Sequence, residues 1–308
     1  MTVLLLAEVH DTLAGRATRA AVAAAQALGP VDLLVCGPAE TAATAAGWPG
    51  LAAVLHCADP ACAQGLAEPL AALLAALALG STHLAAPATA QGASVMPRLA
   101  ALLDLQPIPN VVGILDAETF IRPTYAGNAL VTVRSAQARQ VLTINPLTFE
   151  PVAAEGGAAA LRLVTAPPLA GGSTWLGFTP PPASARPDLG TARVVIAGGR
   201  GLGGAEAVAA LEALADCLGG AVGASLAAVE SGYLPSEAQV GQSGRAVAPE
   251  LYIAAGISGA IQHLAGMQGA KVVVAINLDP DAPIHAAADY SLLGDLNELL
   301  PALTAALG

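Results

Sequence analysis

LYIAAGISGAIQHLAGMQGAKVVVAIN, residues 251–277, places an apolar run, a glycine turn, a helical stretch and a second apolar run in succession. LYIAAG and KVVVAIN read as buried strands, because short Ile- and Val-rich runs bounded by glycine and polar residues suit the interior of a sheet. The stretch between them reads as a helix from Ser258. Strands joined by a helix run parallel, so this piece predicts an α/β layer with crossover helices. Gly256 ends the first strand, Ser258 is placed to cap the helix, and small residues at 259 and 260 leave its first N–H groups open to an anion. On a helix, Ser258 and Gln262 share a face, as do Gly259 and His263. A lone histidine on an apolar face is ordinarily a core residue. The adjoining glycine turn makes His263 a site candidate, neutral near a positive helix end.

The same rhythm extends in both directions. RVVIAGG opens this second α/β unit, followed by a helix over 205–218, the strand AVGAS, a loop to about Pro249, and a final helix over Leu296–Leu307. Toward the N-terminus, VLLLAE, VDLLVC, AAVLH and THLAAP read as strands, alternating with helices that start near Arg16, Thr41, Gly65 and Gln91. From Val111 to about Val164 the texture shifts to VVGIL, TFIRPTY, ALVTVR and QVLTI, which predicts an antiparallel edge. Residues 166–190 carry six prolines and no periodicity, as an interdomain linker does. The expected fold class is thus α/β in two domains, 1–165 and 191–308, each a mainly parallel sheet flanked by helices. The second is Rossmann-like.

Composition narrows the function. A net charge of −11 with only 12 Lys and Arg disfavours a nucleic-acid surface, which needs clustered cations. Hydrophobic residues make up 55% of the chain, yet the longest apolar run, Leu70–Leu79, is far short of the roughly 18 to 20 residues that span a bilayer. TVLLLAEV after Met1 lacks a basic start and a cleavage site, so a cytoplasmic protein is expected. Cys36, Cys57, Cys62 and Cys217 lack paired CxxC spacing and are expected to be reduced, buried thiols, with no metal and no disulfide.

VVIAGGRGLGG contains GxGxxG at Gly199, Gly201 and Gly204, between a strand and a helix. A dinucleotide site also needs an acid at the end of the next strand, and none occurs before Glu230. An NAD-dependent oxidoreductase is therefore the weaker alternative, and no acid-base pair for it is evident. A phosphate-facing loop centred on Arg200 survives. QVGQSG, residues 239–244, offers further backbone donors and a hydroxyl, and Asn277 stands where a parallel strand opens onto a ligand crevice. Their convergence points to a large phosphate-bearing cofactor.

These residues carry a resemblance. The opening stretch, with GGRG, VGAS, QVGQSG, VAPELY and ADYSLLGDL around it, resembles the α-subunit of electron transfer flavoproteins from about Arg193 to the end. LAAPATAQGASVMPRLAALLD and FIRPTYAGNAL resemble that family more loosely. The resemblance implies an FAD-binding C-terminal domain and an N-terminal domain packed on a β-subunit. It also implies electron transfer from flavoprotein dehydrogenases, such as those of fatty acid β-oxidation, to a membrane quinone oxidoreductase, with no catalytic residues of the chain's own. By position, Arg200, Ser225, Leu226, Gln239, Val240, Gly241, Gln242, Ser243, Gly256, Ser258, Gly259, Ala260, Ile261, Gln262 and His263 line the FAD. Asn277, Asp295 and Leu296 lie near its AMP half. His263 would hydrogen-bond the N1/O2 edge of the flavin, and Ser243 stands where a threonine is usual. Leu226 replaces an arginine that would stabilise reduced, negatively charged flavin. Ile144-Asn145-Pro146 also stands where an arginine is usual. Lost redox function in a divergent member is a third reading.

Overall fold

The computed structural model describes residues 2–8, 15–168, 172–177, 179 and 186–308. The chain forms two compact units, Met1–Tyr125 with Ala129–Thr179, and Pro180–Gly308 with Ala126–Asn128. Part of the expected linker, 166–190, lies outside the described residues.

The first unit alternates β1 (Val3–Leu6), α1 (Arg16–Ala25), β2 (Val31–Cys36), α2 (Ala39–Ala46), β3 (Leu51–Cys57), α3 (Ala67–Leu77), β4 (His83–Pro87) and α4 (Ala90–Leu102). It continues with β5 (Pro107–Val111), β6 (Gly113–Ile114), β7 (Thr119–Thr124), β8 (Ala129–Arg134), β9 (Gln140–Ile144) and β10 (Ala160–Leu163). Seven strands form one sheet in the order β10-β3-β2-β1-β4-β9-β5. Its pairings are all parallel, so the expected antiparallel edge is not there. QVLTI inserts as β9 between β4 and β5, fully buried, with Val141 packing into the core on one face and Leu142 and Ile144 into the core on the other. TFIRPTY and ALVTVR instead form β7 and β8 of a separate antiparallel sheet, β6-β7-β8. Val3, Leu5, Leu33 and Leu142 pack on one face of the large sheet and Leu4, Leu6, Leu34 and Val141 on the other. Strand residues alternate between faces, which is why continuous apolar runs serve both layers.

The second unit runs β11 (Val194–Gly198), α5 (Ala205–Cys217), β12 (Ala221–Ala224), α6 (Leu226–Glu230), β13 (Leu251–Ala255), α7 (Ile261–Met267), β14 (Val272–Asn277), β15 (Tyr290–Leu293) and α8 (Leu296–Leu307). Its five strands are parallel in the order β12-β11-β13-β14-β15. Val195, Ala197, Tyr252 and Ala254 face one core, Ile196, Ile253 and Ala255 the other. The strand β15, within ADYSLLGDL, was not legible as one, because its four residues are exposed and lack the apolar run of its neighbours.

Of the cysteines, Cys36, Cys57 and Cys62 are buried as expected, but Cys217 is exposed. It is the last residue of α5, and its thiol lies 4.0 Å from the Thr304 carbonyl rather than inside the core. No helix among the described residues is long and apolar enough to cross a membrane.

Candidate functional site

In the second unit, β12 and β13 flank β11, so the chain reverses its direction of travel through the sheet between β11 and β13. Loops at such a reversal leave the carboxyl ends of the strands in opposite senses and open a crevice. Here the two loops also touch. Gly201 N–H donates to the Gly256 carbonyl at 3.0 Å. A Cβ on Gly199 would lie 2.0 Å from that carbonyl oxygen, and one on Gly201 would lie 2.9 Å from the Gly256 Cα. The glycines of GGRG thus admit another backbone. Gly204, in contrast, has an extended φ of 170° and open space around it. In a dinucleotide fingerprint the last glycine serves close helix–strand packing, and this one does not. Arg200 itself is exposed and makes no ion pair among the described residues.

On one side of this contact lie the residues after β12. Ser225 N–H donates to the Gly198 carbonyl at 2.9 Å, and its Oγ caps α6 by accepting from Ala228 N–H at 3.2 Å. Ser225 is buried, whereas Leu226, at the first position of α6, is 45% exposed. QVGQSG docks here, Val240 N–H donating to the Ala224 carbonyl at 2.8 Å. It docks equally on α7. Gln242 N–H donates to the Gln262 carbonyl at 2.8 Å, and a Cβ on Gly266 would lie 2.3 Å from the Gly241 nitrogen. Gln239 reaches across the loop to donate to the Ser243 hydroxyl at 2.9 Å. Ser225, Leu226, residues 239–243, Gln262 and His263 are thereby gathered at one place.

On the other side, the helix expected from Ser258 starts three residues later. Ile261 opens α7, Ala260 precedes it without a side-chain cap, and Ser258 caps nothing. Gly259 sits at φ +87°, a conformation no helix contains, and a Cβ there would lie 2.3 Å from the Ile284 nitrogen. The Ile284 N–H donates to the Ser258 carbonyl at 3.1 Å, so the loop after β14 holds residues 257–260 out of the helix. The shared helix faces inferred for Ser258 with Gln262 and Gly259 with His263 therefore do not exist. Asn277 ties the loop down, its Nδ2 donating to the Ile257 carbonyl at 2.9 Å and its Oδ1 accepting from Asp279 N–H at 3.0 Å. Asp295 caps α8 by accepting from Asn297 N–H at 2.9 Å, and Leu296 packs beneath Gly256. All the expected residues stand at the carboxyl edge of one sheet. Several of their side chains build the edge rather than face out of it.

His263 differs from the rest. It is 5% exposed, and burial drives its pKa down to about 4, opposed by the Val240 backbone beside it, so the ring is neutral near pH 7. Its Nε2 lies 2.9 Å from the Tyr252 hydroxyl. Its Nδ1 is buried with no well-formed hydrogen bond among the described residues. A buried polar atom left unmatched carries a penalty on the order of 1–3 kcal/mol, which a ligand's polar group relieves. The N–H groups of Ser258, Gly259 and Ala260 likewise donate to no acceptor among the described residues. Such unused donors, with the exposed Arg200 cation, suit a ligand with a polar ring edge and phosphates. Tyr252 was missed in the sequence. It reads as one more apolar strand residue, and only the fold brings its hydroxyl to a partner on the next helix.

Known proteins match over the whole chain. Residues 3–169 match the family model described as the electron transfer flavoprotein domain, and residues 188–268 the electron transfer flavoprotein FAD-binding domain. The chain is 52% identical to electron transfer flavoprotein subunit alpha of Paracoccus denitrificans and 47% identical to that of Pseudomonas aeruginosa, with 100% of both chains covered in each case. It is 42% identical to the mitochondrial subunit alpha of Dictyostelium discoideum, over 98% of this chain and 90% of that one.

Proposed function

Because the chain belongs to the electron transfer flavoprotein α-subunit family, and its residues 188–268 are that family's FAD-binding domain, we propose that it carries electrons as half of a heterodimer. In this reading a β-subunit packs on residues 1–165 and residues 191–308 hold FAD without a covalent bond. Flavoprotein dehydrogenases such as acyl-CoA dehydrogenases, acting in fatty acid β-oxidation, deliver electrons in the cytoplasm, and a membrane quinone oxidoreductase takes them away.

When bound, FAD supplies the capacity to accept and return electrons singly, which no side chain here can do. The chain's own work is placement. His263, neutral at working pH, offers a ring nitrogen to the flavin's polar edge without introducing a charge. Gln239, Val240, Gly241, Gln242, Ser243 and Gln262 are held together by the docking of QVGQSG on α7, which fixes their spacing before a ligand arrives. Arg200 and the free N–H groups of 258–260 suit the phosphates. Ser225, Asn277, Asp295 and Leu296 act through the backbone they hold. Leu226 brings no cation to the site, so any stabilisation of added negative charge must come from elsewhere.

The observation that carries the reading is the buried, neutral His263 with an unmatched Nδ1 amid loops converging from four strands. The heterodimer, co-expressed and purified, should show a flavin spectrum that an acyl-CoA dehydrogenase with its substrate bleaches. His263→Ala should lower the flavin content. A colourless complex overturns the site, and a coloured complex that no flavoprotein dehydrogenase reduces overturns the relay.

A further inference from the structure

Tyr252 is fully buried in β13, among Val240, Ile257 and Met267. Its hydroxyl lies 2.9 Å from His263 Nε2 and has no other hydrogen-bond partner among the described residues. The two rings are tilted by 59° with centroids 6.1 Å apart, so the contact runs edge to edge through the polar atoms. A phenol proton in an apolar interior with a single neighbour must be donated to that neighbour. Nε2 is then the acceptor, and the proton of the neutral ring resides on Nδ1. The opposite arrangement, with Nε2–H donating to the phenol oxygen, strands the phenol proton and leaves a bare nitrogen lone pair near the Val240 backbone. Both faults act in the same direction. The phenol does not ionise to escape this choice, because burial pushes its pKa far above the ordinary range.

We propose that Tyr252 is a positioning residue that locks His263 as the Nδ1–H tautomer, so that the site presents a permanent hydrogen-bond donor, never an acceptor, to the ring edge of the flavin. This rests on reading residues 256–263 as the flavin's surroundings. A fixed neutral donor recognises a carbonyl or unprotonated ring nitrogen and favours that group more as it gains electron density. Without Tyr252 the imidazole can exchange its donor for a lone pair by tautomerising, and the same position would then repel the group it should hold.

The test is a two-bond proton–nitrogen correlation spectrum of the heterodimer carrying ¹⁵N-labelled histidine, near pH 7. The His263 signals are assigned by their absence in His263→Gln. A protonated Nδ1 and unprotonated Nε2 are expected. In Tyr252→Phe both tautomers should be populated and the dissociation constant for FAD should rise about tenfold, the scale of one hydrogen bond. Tyr290→Phe, on an exposed strand, should change neither. A protonated Nε2 in the unsubstituted protein overturns the proposal, as does a Tyr252→Phe protein with unchanged tautomer and affinity. If Tyr252→Phe does not fold, the spectrum of the unsubstituted protein still decides. A flavin-free heterodimer with protonated Nδ1 upholds the Tyr252 lock but removes the flavin from the site.

Discussion

Replacing Gly199 and Gly204 separately by alanine tests what the glycines of VVIAGGRGLGG are for. At Gly199 the added Cβ would meet three backbone atoms, the Gly256 oxygen at 2.0 Å, the Gly256 carbon at 2.5 Å and the Ile257 Cα at 2.7 Å. Backbone cannot swing aside as a side chain can, so the loops after β11 and β13 must separate. Overpacking of this kind costs about 1–3 kcal/mol, and loss of the Gly201 to Gly256 hydrogen bond adds about 1 kcal/mol. Gly199→Ala should therefore destabilise the second unit by roughly 2–4 kcal/mol and, by shifting Arg200, lower flavin occupancy. At Gly204 the Cβ meets nothing within 4 Å and the backbone is extended. Losing glycine as the cap costs at most about 1 kcal/mol, partly offset by about 0.5 kcal/mol from a stiffer unfolded chain. Urea unfolding followed by circular dichroism, with bound flavin measured in parallel, separates the two variants. Equal losses would refute the argument and restore the dinucleotide reading, in which both glycines matter.

Further outcomes are expected. Leu226→Arg puts a cation on a half-exposed position, where about 1 kcal/mol of differential stabilisation corresponds to roughly 40 mV on a one-electron step; potentiometric titration should show a rise of that order, and an unchanged potential with FAD still bound would mean that position 226 does not sense the flavin. Glu230, four residues along α6, competes for the new guanidinium, so Leu226→Arg with Glu230→Gln should shift further. His263 has a folded pKa of about 4 against an ordinary 6.5, so the unfolded chain binds its proton first as pH falls. Its contribution to stability is therefore complete above pH 6.5 and declines toward pH 4, by about 3 kcal/mol; denaturation at pH 7 and pH 4 should show a smaller acid loss in His263→Gln, and equal losses would contradict the burial. Thiol titration of the native chain should label Cys217 rapidly and the other three cysteines only on unfolding; a second fast thiol would contradict the packing of Cys36, Cys57 and Cys62.

The sequence made the α/β layering legible because buried parallel strands are short apolar runs, and every such run found a place in a sheet. The final helix over 296–307 could be read because Asp295 is a good cap and the residues after it keep a helical period. Sheet order was not legible. Nothing in QVLTI shows that it separates β4 from β5, since pairing between distant strands leaves no local trace. Ser258 illustrates a different failure. Serine before a small-residue run is a good start signal for a helix, but Gly259 in a left-handed conformation against Ile284 overrides it, and Ile284 is far along the chain. The candidate residues were picked out as a set through motifs that resemble the family's. Their division between those that face outward and those that hold the scaffold required the hydrogen bonds of Asn277, Asp295 and Ser225.

The edge strand β10 pairs with β3 in register from Ala160 to Ala53, so partners are separated by roughly a hundred residues of chain. Closing so long a loop is slow, and on a ribosome it is impossible until the second partner has emerged. Strands β1 to β3 can assemble early, because each neighbour arrives within one crossover helix, and β4 joins the free side of β1 once His83 can pair with Val3. During that interval β3 presents an unpaired edge, and β4, awaiting β9, presents another. A nascent chain stalled before residue 140 therefore holds a four-stranded layer open at both margins, in the state most prone to pairing with a second copy of itself. Synthesis past residue 163 closes both margins, one with β9 and the other with β10.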